Sequence, residues 1–161
     1  MIKQQQFICP YTVYDAFDEL ESQDAELLHR AHEATQNSYA PYSRFHVGAA
    51  VRMANGDIVT GNNVENAAYP SGLCAERVAM FAAMAKYPGM AIEALAVVAH
   101  SETKTIDVPA APCGACRQVM AEVEQVSKRP LRVLCQGETG PVMAFDGIET
   151  LMPFVFQNTL L

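Results

Sequence analysis

Three cysteines in two short segments of the sequence have the side-chain chemistry and the spacing of a metal site. Cys113 and Cys116 lie in "PCGACRQ", where two small residues between them would let both thiols reach one ion from the first turn of a helix. Cys74 lies in "PSGLCAERVAMFAAMA", at the predicted start of another helix. A helix N-terminus carries unpaired N–H donors and partial positive charge, which favour the metal-binding thiolate. The two segments therefore offer three thiolates to a tetrahedral Zn²⁺, with the fourth position left for water.

Two charged residues directly after Cys74 could supply further chemistry. Zinc lowers the pKa of a bound water from 15.7 to about 7, and a carboxylate beside it, here Glu76, could take a proton and pass it to a substrate. Three thiolates would leave the zinc centre with one net negative charge, which weakens it as a Lewis acid. A guanidinium beside the sulfurs, here Arg77, would restore the pull of the metal.

Each of these residues also has a less specific interpretation. Cys113 and Cys116 could be a thiol redox pair, and any of the cysteines could pack in the core. A structural zinc site is also open, in which a histidine or Cys135 would complete four protein ligands. Glu76 alone would be a solvated helix residue and Arg77 a surface cation, so the prediction of catalysis rests on their combination with the cysteines.

Composition predicts one domain and argues against several classes of partner. The chain has 161 residues, 50% of them hydrophobic, which suits a single domain over 1–161 with residues 1–20 as an irregular N-terminal extension. The net charge of −7 and the lack of a Lys/Arg cluster argue against nucleic acid as a partner. No apolar run reaches the ~20 residues of a membrane span, and the first residues do not resemble a secretory signal. We therefore expect a cytoplasmic chain with reduced cysteines and no membrane partner.

The elements that must position these residues alternate between helix and strand. Hydrophobic periodicity predicts helices over 22–38, 74–86 and 113–126, with Ser22 as the first N-cap. A hairpin is predicted at the Asn55–Gly56 turn, with further strands over 93–100, 131–136 and 141–146, and a short helix and tail at the C-terminus. This order predicts an α/β sandwich with a mixed sheet, antiparallel in the hairpin and parallel between strands joined through helices.

Three motifs in this order resemble the small, homotetrameric cytidine deaminases. They are "PYSRFHVGAAV", "NVENAAYPSGLCAERVAMF" and "PCGACRQVMAE", and the resemblance covers roughly residues 22–156. "CAE" and "PCGAC" match the three-cysteine form of the zinc deaminase signature, in which a glutamate is not a ligand. The resemblance implies a cytidine deaminase-like three-layer α/β/α sandwich with a mixed sheet of about five strands.

The resemblance also implies an activity and a ligand set. Cys74, Cys113 and Cys116 would hold one Zn²⁺ per chain, and Glu76 would shuttle protons while an activated water attacks C4 of cytosine and ammonia leaves. The substrates would be cytidine and 2′-deoxycytidine, in pyrimidine salvage. Another aminopyrimidine nucleoside, such as a nucleoside antibiotic, is an alternative, although "NVEN" favours a plain nucleoside.

The implied substrate pocket is centred on the run from residue 63 to residue 69. Asn63 and Glu65 would hydrogen-bond the ribose 3′-hydroxyl, Phe45 would pack on the nucleoside, and the Ala75 backbone would contact the base. The complete set of implied substrate contacts is Phe45, Asn63, Glu65, Asn66, Tyr69, Ala75 and Phe156.

Phe156 would act on a different subunit from its own. The resemblance implies a homotetramer with shared active sites, in which an aromatic residue near one C-terminus closes the pocket of its neighbour. Phe156 is the best match for this residue, and Phe154 competes for the role.

We interpret the other cysteines and the histidines as structural or surface residues. Cys135 is expected in the core and Cys9 as a free thiol. The four histidines are His29, His32, His46 and His100, of which His46 lies nearest the pocket motifs in sequence.

Overall fold

Three α-helices and six strands make up the fold of residues 1–157, the part of the chain that the structure, a computed structural model, describes. In chain order these are β1 Thr12–Tyr14, α1 Ser22–Thr35, β2 Phe45–Met53, β3 Ile58–Asn62, α2 Ala75–Lys86, β4 Ile92–Ser101, α3 Gly114–Ser127, β5 Arg132–Gln136 and β6 Val142–Asp146. Short 3₁₀ turns cover Phe17–Glu19, Tyr69–Ser71 and Ile148–Thr150.

The strands form one mixed sheet in the order β1-β6-β5-β4-β2-β3. The hairpin β2–β3 is antiparallel, as predicted, and turns at Gly56 with a φ of 87°. Strands β4 and β5, which are joined through α3, are parallel neighbours. Strands β3 and β4 are each antiparallel to β2, which lies between them, so they run in the same direction and end at the same edge of the sheet.

Helices cover both faces of the sheet, which makes the three layers that the resemblance implies. Alternate residues of a strand point to opposite faces, and in β2 Ala50 packs in one buried cluster and Ala49 in the other. On one face, Leu27, Leu28 and Ala31 of α1 form the cluster. On the other, α2 and α3 pack against the sheet through Ala79, Met80, Met120 and Val123. The fold class is thus confirmed.

The sheet has six strands rather than about five, because part of the N-terminal extension joins it. Thr12, Val13 and Tyr14 pair antiparallel with β6, so the expectation that residues 1–20 are irregular was wrong for this segment. The ring of Tyr11 lies 5.7 Å from that of Phe145, and the Tyr14 hydroxyl accepts a hydrogen bond from Arg132 at 3.2 Å. These contacts come from residues distant in sequence, so local pattern does not reveal them.

Helix ends differ slightly from the predicted ones. Glu21 is the N-cap of α1 and makes no side-chain cap, while Ser22 is the first helical residue, so the prediction of Ser22 as N-cap was wrong. Helix α1 also ends three residues early, at Thr35. In α2 and α3 the N-caps are Cys74 and Cys113.

None of the helices in residues 1–157 is both long enough and apolar enough to cross a bilayer.

Helix α1 lies directly on Gly48 of β2, which makes this glycine a test of the three-layer packing. A Cβ there would be 2.0 Å from the Ala31 carbonyl oxygen and 2.6 Å from the Thr35 backbone nitrogen. Since neither backbone atom can move without moving the helix, Gly48→Ala should lower the free energy of unfolding by about 2–3 kcal/mol or more. Urea denaturation at equal protein concentration measures the change.

Gly114→Ala is the matched control, because a Cβ at Gly114 would meet no atom within 4 Å among residues 1–157, its two chain neighbours and its own helix backbone aside. Its free energy of unfolding should stay within about 1 kcal/mol of the starting protein. Equal unfolding midpoints for the two variants would contradict the contact between α1 and β2.

Candidate active site

The starts of α2 and α3 meet at the edge of the sheet where β3 and β4 end. Cys74 is the N-cap of α2, Cys113 is the N-cap of α3, and Cys116 lies within the first turn of α3. Both N-caps have extended backbone, with ψ of 151° and 165°. Each thiol therefore lies where the unpaired N–H groups of a helix start concentrate positive charge.

The three sulfur atoms lie close enough together to share one metal ion. Sγ of Cys74 is 3.8 Å from Sγ of Cys113, which is 3.5 Å from Sγ of Cys116, and all three lie within 4.8 Å of one another. With Zn–S bonds of about 2.3 Å, sulfurs on a tetrahedral zinc are roughly 3.8 Å apart. The donor set thus fits zinc in both chemistry and spacing.

The same cluster bears on the structural-zinc interpretation, which needs a fourth protein ligand. In the described part of the chain, the group of His, Cys, Asp and Glu ligand atoms around this point has three members. Cys135 is fully buried in the core, as predicted, and is not part of the group. Three side chains leave one position of a tetrahedral ion for another ligand.

Charge around the sulfurs favours a thiolate. The pKa of Cys74 is lowered to about 5, mainly because the Cys116 thiol donates a hydrogen bond to it, with Arg77 and Cys113 acting in the same direction. The pKa of Cys116 is raised by that same bond and by burial. Arg77 Nη2 donates to Cys74 Sγ at 3.7 Å, so the structure places the guanidinium beside the sulfur.

Glu76 is a buried carboxyl in the first turn of α2. Only 4% of its surface is exposed, and it lies between Cys74 and Arg77 in sequence. Burial raises its pKa above the ordinary value, and the negative charge of Cys74 adds to this. A buried carboxyl with a raised pKa is suited to exchanging protons near neutral pH.

A cavity of about 770 Å³ opens over the cysteines and Glu76. Its lining brings together nine of the predicted site residues: Phe45, Asn63, Glu65, Asn66, Tyr69, Cys74, Glu76, Arg77 and Cys113. Three others do not line it. Ala75 and Cys116 are buried behind it, and Phe156 is 57% exposed elsewhere on the chain.

Glu65 and Asn63 tie the cavity wall to the start of β2 and to the turn that precedes it. Glu65 accepts hydrogen bonds from the backbone N–H groups of Tyr42 and Ser43, at 2.9 and 3.3 Å. Its pKa is lowered, first by the Ser43 side chain and then by these backbone donors. Asn63 donates to the Phe45 carbonyl at 2.9 Å and accepts from Val47 N–H at 2.8 Å. Among residues 1–157 the Asn63 amide N–H groups have one acceptor, the Phe45 carbonyl, so the second N–H is open to a ligand.

The cavity also contains residues that the sequence analysis did not single out. Tyr42 faces Tyr69 at the exposed mouth, with ring centres 6.0 Å apart. Tyr42 and Ser43 belong to the "PYSRF" motif, which could have indicated them. The others are apolar and carry no chemical signal in sequence: Val47, Val64, Gly72, Leu73, Val97, Ala110 and Ala111.

The amino-acid sequence of this chain matches that of a known protein family. A family model described as the cytidine and deoxycytidylate deaminase zinc-binding region matches residues 21–129, which include the three cysteines. The chain belongs to the cytidine and deoxycytidylate deaminase family. Zinc as the cofactor, predicted from the three thiols, is confirmed by this match together with the sulfur cluster.

Relatives within this family resemble the chain in sequence and in fold. A cytidine deaminase from Halalkalibacterium halodurans is 48% identical over 97 residues, which are 60% of this chain and 69% of that protein. The 1.6 Å crystal structure of cytidine deaminase from Burkholderia pseudomallei has a TM-score of 0.70 and 41% identity, over 81% of this chain and 97% of that one. The cytidine deaminase of Mycobacterium tuberculosis has a TM-score of 0.64 and 32% identity, over 85% and 99% of the two chains.

The ligand role of the cysteines can be tested by metal analysis. Replacing Cys74, Cys113 or Cys116 by Ala removes one of three donors, so the zinc content of the purified protein should fall well below one ion per chain. Cys9→Ala is the control, because Cys9 lies in the N-terminal segment and should leave zinc at one per chain. Full zinc content in all three cluster variants would exclude the assigned ligand set.

Proposed function

We propose that this protein is a zinc-dependent cytidine deaminase that converts cytidine and 2′-deoxycytidine to uridine and 2′-deoxyuridine with release of ammonia. The observation that carries the proposal is a cluster of three sulfur donors whose Cys74 and Cys113 line the same cavity as a buried glutamate. Relatives with solved structures that share the fold bear the name cytidine deaminase.

Three cysteine thiolates and the guanidinium of Arg77 make up the part of the site that surrounds the metal. Cys74, Cys113 and Cys116 hold the ion, and Arg77 donates to the Cys74 sulfur, which draws negative charge away from the metal. Zinc, when bound, lowers the pKa of a water ligand from 15.7 to about 7 and so supplies a nucleophile at neutral pH.

Glu76 moves the protons that the reaction requires. Addition of water at C4 and loss of ammonia require one proton to reach ring N3 and another to reach the leaving amino nitrogen. Glu76 lies in the cavity beside Cys74, and burial raises its pKa towards the range where a carboxyl both accepts and releases protons.

The opposite end of the cavity recognises the sugar. Glu65 and Asn63 hydrogen-bond the ribose 3′-hydroxyl, and Phe45, whose carbonyl is held by Asn63, packs on the nucleoside. Asn66 and Tyr69 line the same wall, and the backbone of Ala75 contacts the base. Since this recognition uses the 3′-hydroxyl and not the 2′-hydroxyl, it accepts both sugars.

We further propose a homotetramer with shared active sites. Phe156 and Phe154 are 57% and 97% exposed and line no part of the cavity of their own chain, which leaves either ring available to a neighbouring subunit, with Phe156 preferred. Sedimentation of the zinc-loaded protein as a monomer at assay concentration would contradict this assembly.

A reducing compartment suits three thiols that must stay reduced to bind metal. We therefore propose a cytoplasmic protein that returns cytosine nucleosides to the uridine pool in pyrimidine salvage.

Glu76→Gln tests the proposed chemistry. The amide is isosteric but cannot accept and release the proton, so kcat for cytidine should fall by at least ~10²-fold, while zinc content and unfolding midpoint stay unchanged. Turnover is followed by loss of cytidine absorbance and release of ammonia. Glu26→Gln, at an exposed glutamate of α1, is the control and should keep the starting rate. A starting protein with full zinc and no cytidine turnover would exclude the function itself.

Glu65→Gln tests recognition of the sugar. Loss of the charged acceptor should raise KM for cytidine by roughly tenfold, the value of one hydrogen bond to a charged group, with a smaller change in kcat. The matched comparison is 3′-deoxycytidine, which lacks the hydroxyl in question and for which the two proteins should differ little. An equal rise in KM for both nucleosides would instead assign Glu65 to holding the backbone of Tyr42 and Ser43.

A further inference from the structure

Two histidines from neighbouring strands face each other on the side of the sheet that carries α1. His46 of β2 and His100 of β4 are direct cross-strand partners, with ring centres 5.9 Å apart and planes inclined by 34°. The cavity-lining residues on either side of His46, Phe45 and Val47, point to the other face. The histidine pair is therefore separated from the cysteine cluster by the sheet.

Each of the two rings is held at one nitrogen by a carboxylate. Nε2 of His46 lies 3.0 Å from Oε1 of Glu102, and Nδ1 of His100 lies 3.2 Å from Oε2 of Glu138. In the neutral ring that nitrogen is the donor, so the other one, Nδ1 of His46 or Nε2 of His100, carries a lone pair. A histidine oriented by a carboxylate in this way is the usual arrangement behind a metal-bound imidazole.

The separation of the rings is close to the one that a shared ion requires. With Zn–N bonds of about 2.0–2.1 Å, two imidazoles on one tetrahedral ion have ring centres roughly 5–6 Å apart. The 5.9 Å observed here is at the upper end of that range. The His46 side chain is 18% exposed and that of His100 is 41% exposed, so an ion would reach the pair from the His100 side.

The charge at this surface favours a cation. Glu102 and Glu138 bring two negative charges to the pair, so a divalent ion between the rings would be neutralised at short range. A third histidine, His32 of α1, is engaged through Nε2 with the side chain of Gln136 at 3.0 Å. We therefore expect two imidazole ligands for the ion, with water molecules completing its coordination.

We propose that His46 and His100, oriented by Glu102 and Glu138, form a second metal site that binds a divalent transition-metal ion such as Ni²⁺ or Zn²⁺. Imidazole nitrogen is a good ligand for both ions. Two neutral ligands bind more weakly than three thiolates, so this site fills after the cysteine site. The inference does not depend on the proposed deaminase activity, because the two sites share no ligand.

Equilibrium dialysis of the zinc-loaded protein against NiCl₂ tests the proposal. The starting protein should take up one further Ni²⁺ per chain in a saturable way, with its zinc content unchanged. His100→Ala should abolish this uptake, and Glu138→Gln, which keeps both imidazoles, should weaken it by about 10-fold or more.

His29→Ala is the matched control. His29 of α1 is also paired with a glutamate, Glu33 at 3.4 Å, but belongs to no such cross-strand pair of histidines. This variant should bind nickel as the starting protein does. In ¹⁵N-labelled protein, Ni²⁺ should broaden the ring signals of His46 and His100 before those of His29.

Three results would overturn the proposal: no additional Ni²⁺ in the starting protein, equal binding by His100→Ala and His29→Ala, or nickel uptake only in exchange for zinc. If His100→Ala loses its native unfolding midpoint, Glu138→Gln decides the question, since Glu138 lies at the surface and its change removes no imidazole.

Discussion

The meeting of two helix N-termini at one edge of the sheet is the constraint on which the site depends. Strands β3 and β4 run in the same direction on either side of β2, so the chain leaves both at the same edge and starts α2 and α3 there. Cys74 and Cys113 occupy the two N-caps, where both helix dipoles favour negative sulfur. A shift of either helix start by one residue would turn its thiol by about 100° and separate the cluster.

The charge balance of the site follows from that meeting point. Three sulfurs, a buried carboxyl and one guanidinium share a small volume, and Arg77 is the group that offsets the negative charge. Burial raises the pKa of Glu76 above its ordinary value and strengthens each interaction in the cavity. In the same cavity, Glu65 is instead stabilised as a carboxylate by hydrogen bonds, so the pKa values of the two glutamates are shifted in opposite directions.

Strand β2 separates two chemically distinct surfaces. Its odd-numbered residues Phe45 and Val47 line the cavity, whereas Gly48 lies beneath α1 and His46 pairs with His100 on the same side. Because side chains alternate between the two faces of a strand, adjacent residues of one motif lie on opposite sides of the sheet. His46, which lies within the motif "PYSRFHVGAAV", faces away from the pocket for this reason.

The sequence by itself determined the helices, most strands and the chemical identity of the site. The local signals are hydrophobic periodicity, the Asn55–Gly56 turn and the cysteine spacing. Each can be recognised without knowledge of distant residues. Only the tertiary structure decided that Thr12–Tyr14 joins the sheet, because a three-residue edge strand depends on the partner offered by β6. Tertiary structure likewise decided that Glu65 supports the Tyr42–Ser43 backbone and that His46 meets His100. Those contacts join residues more than 20 positions apart, and their geometry is set by sheet register and helix packing rather than by any local pattern.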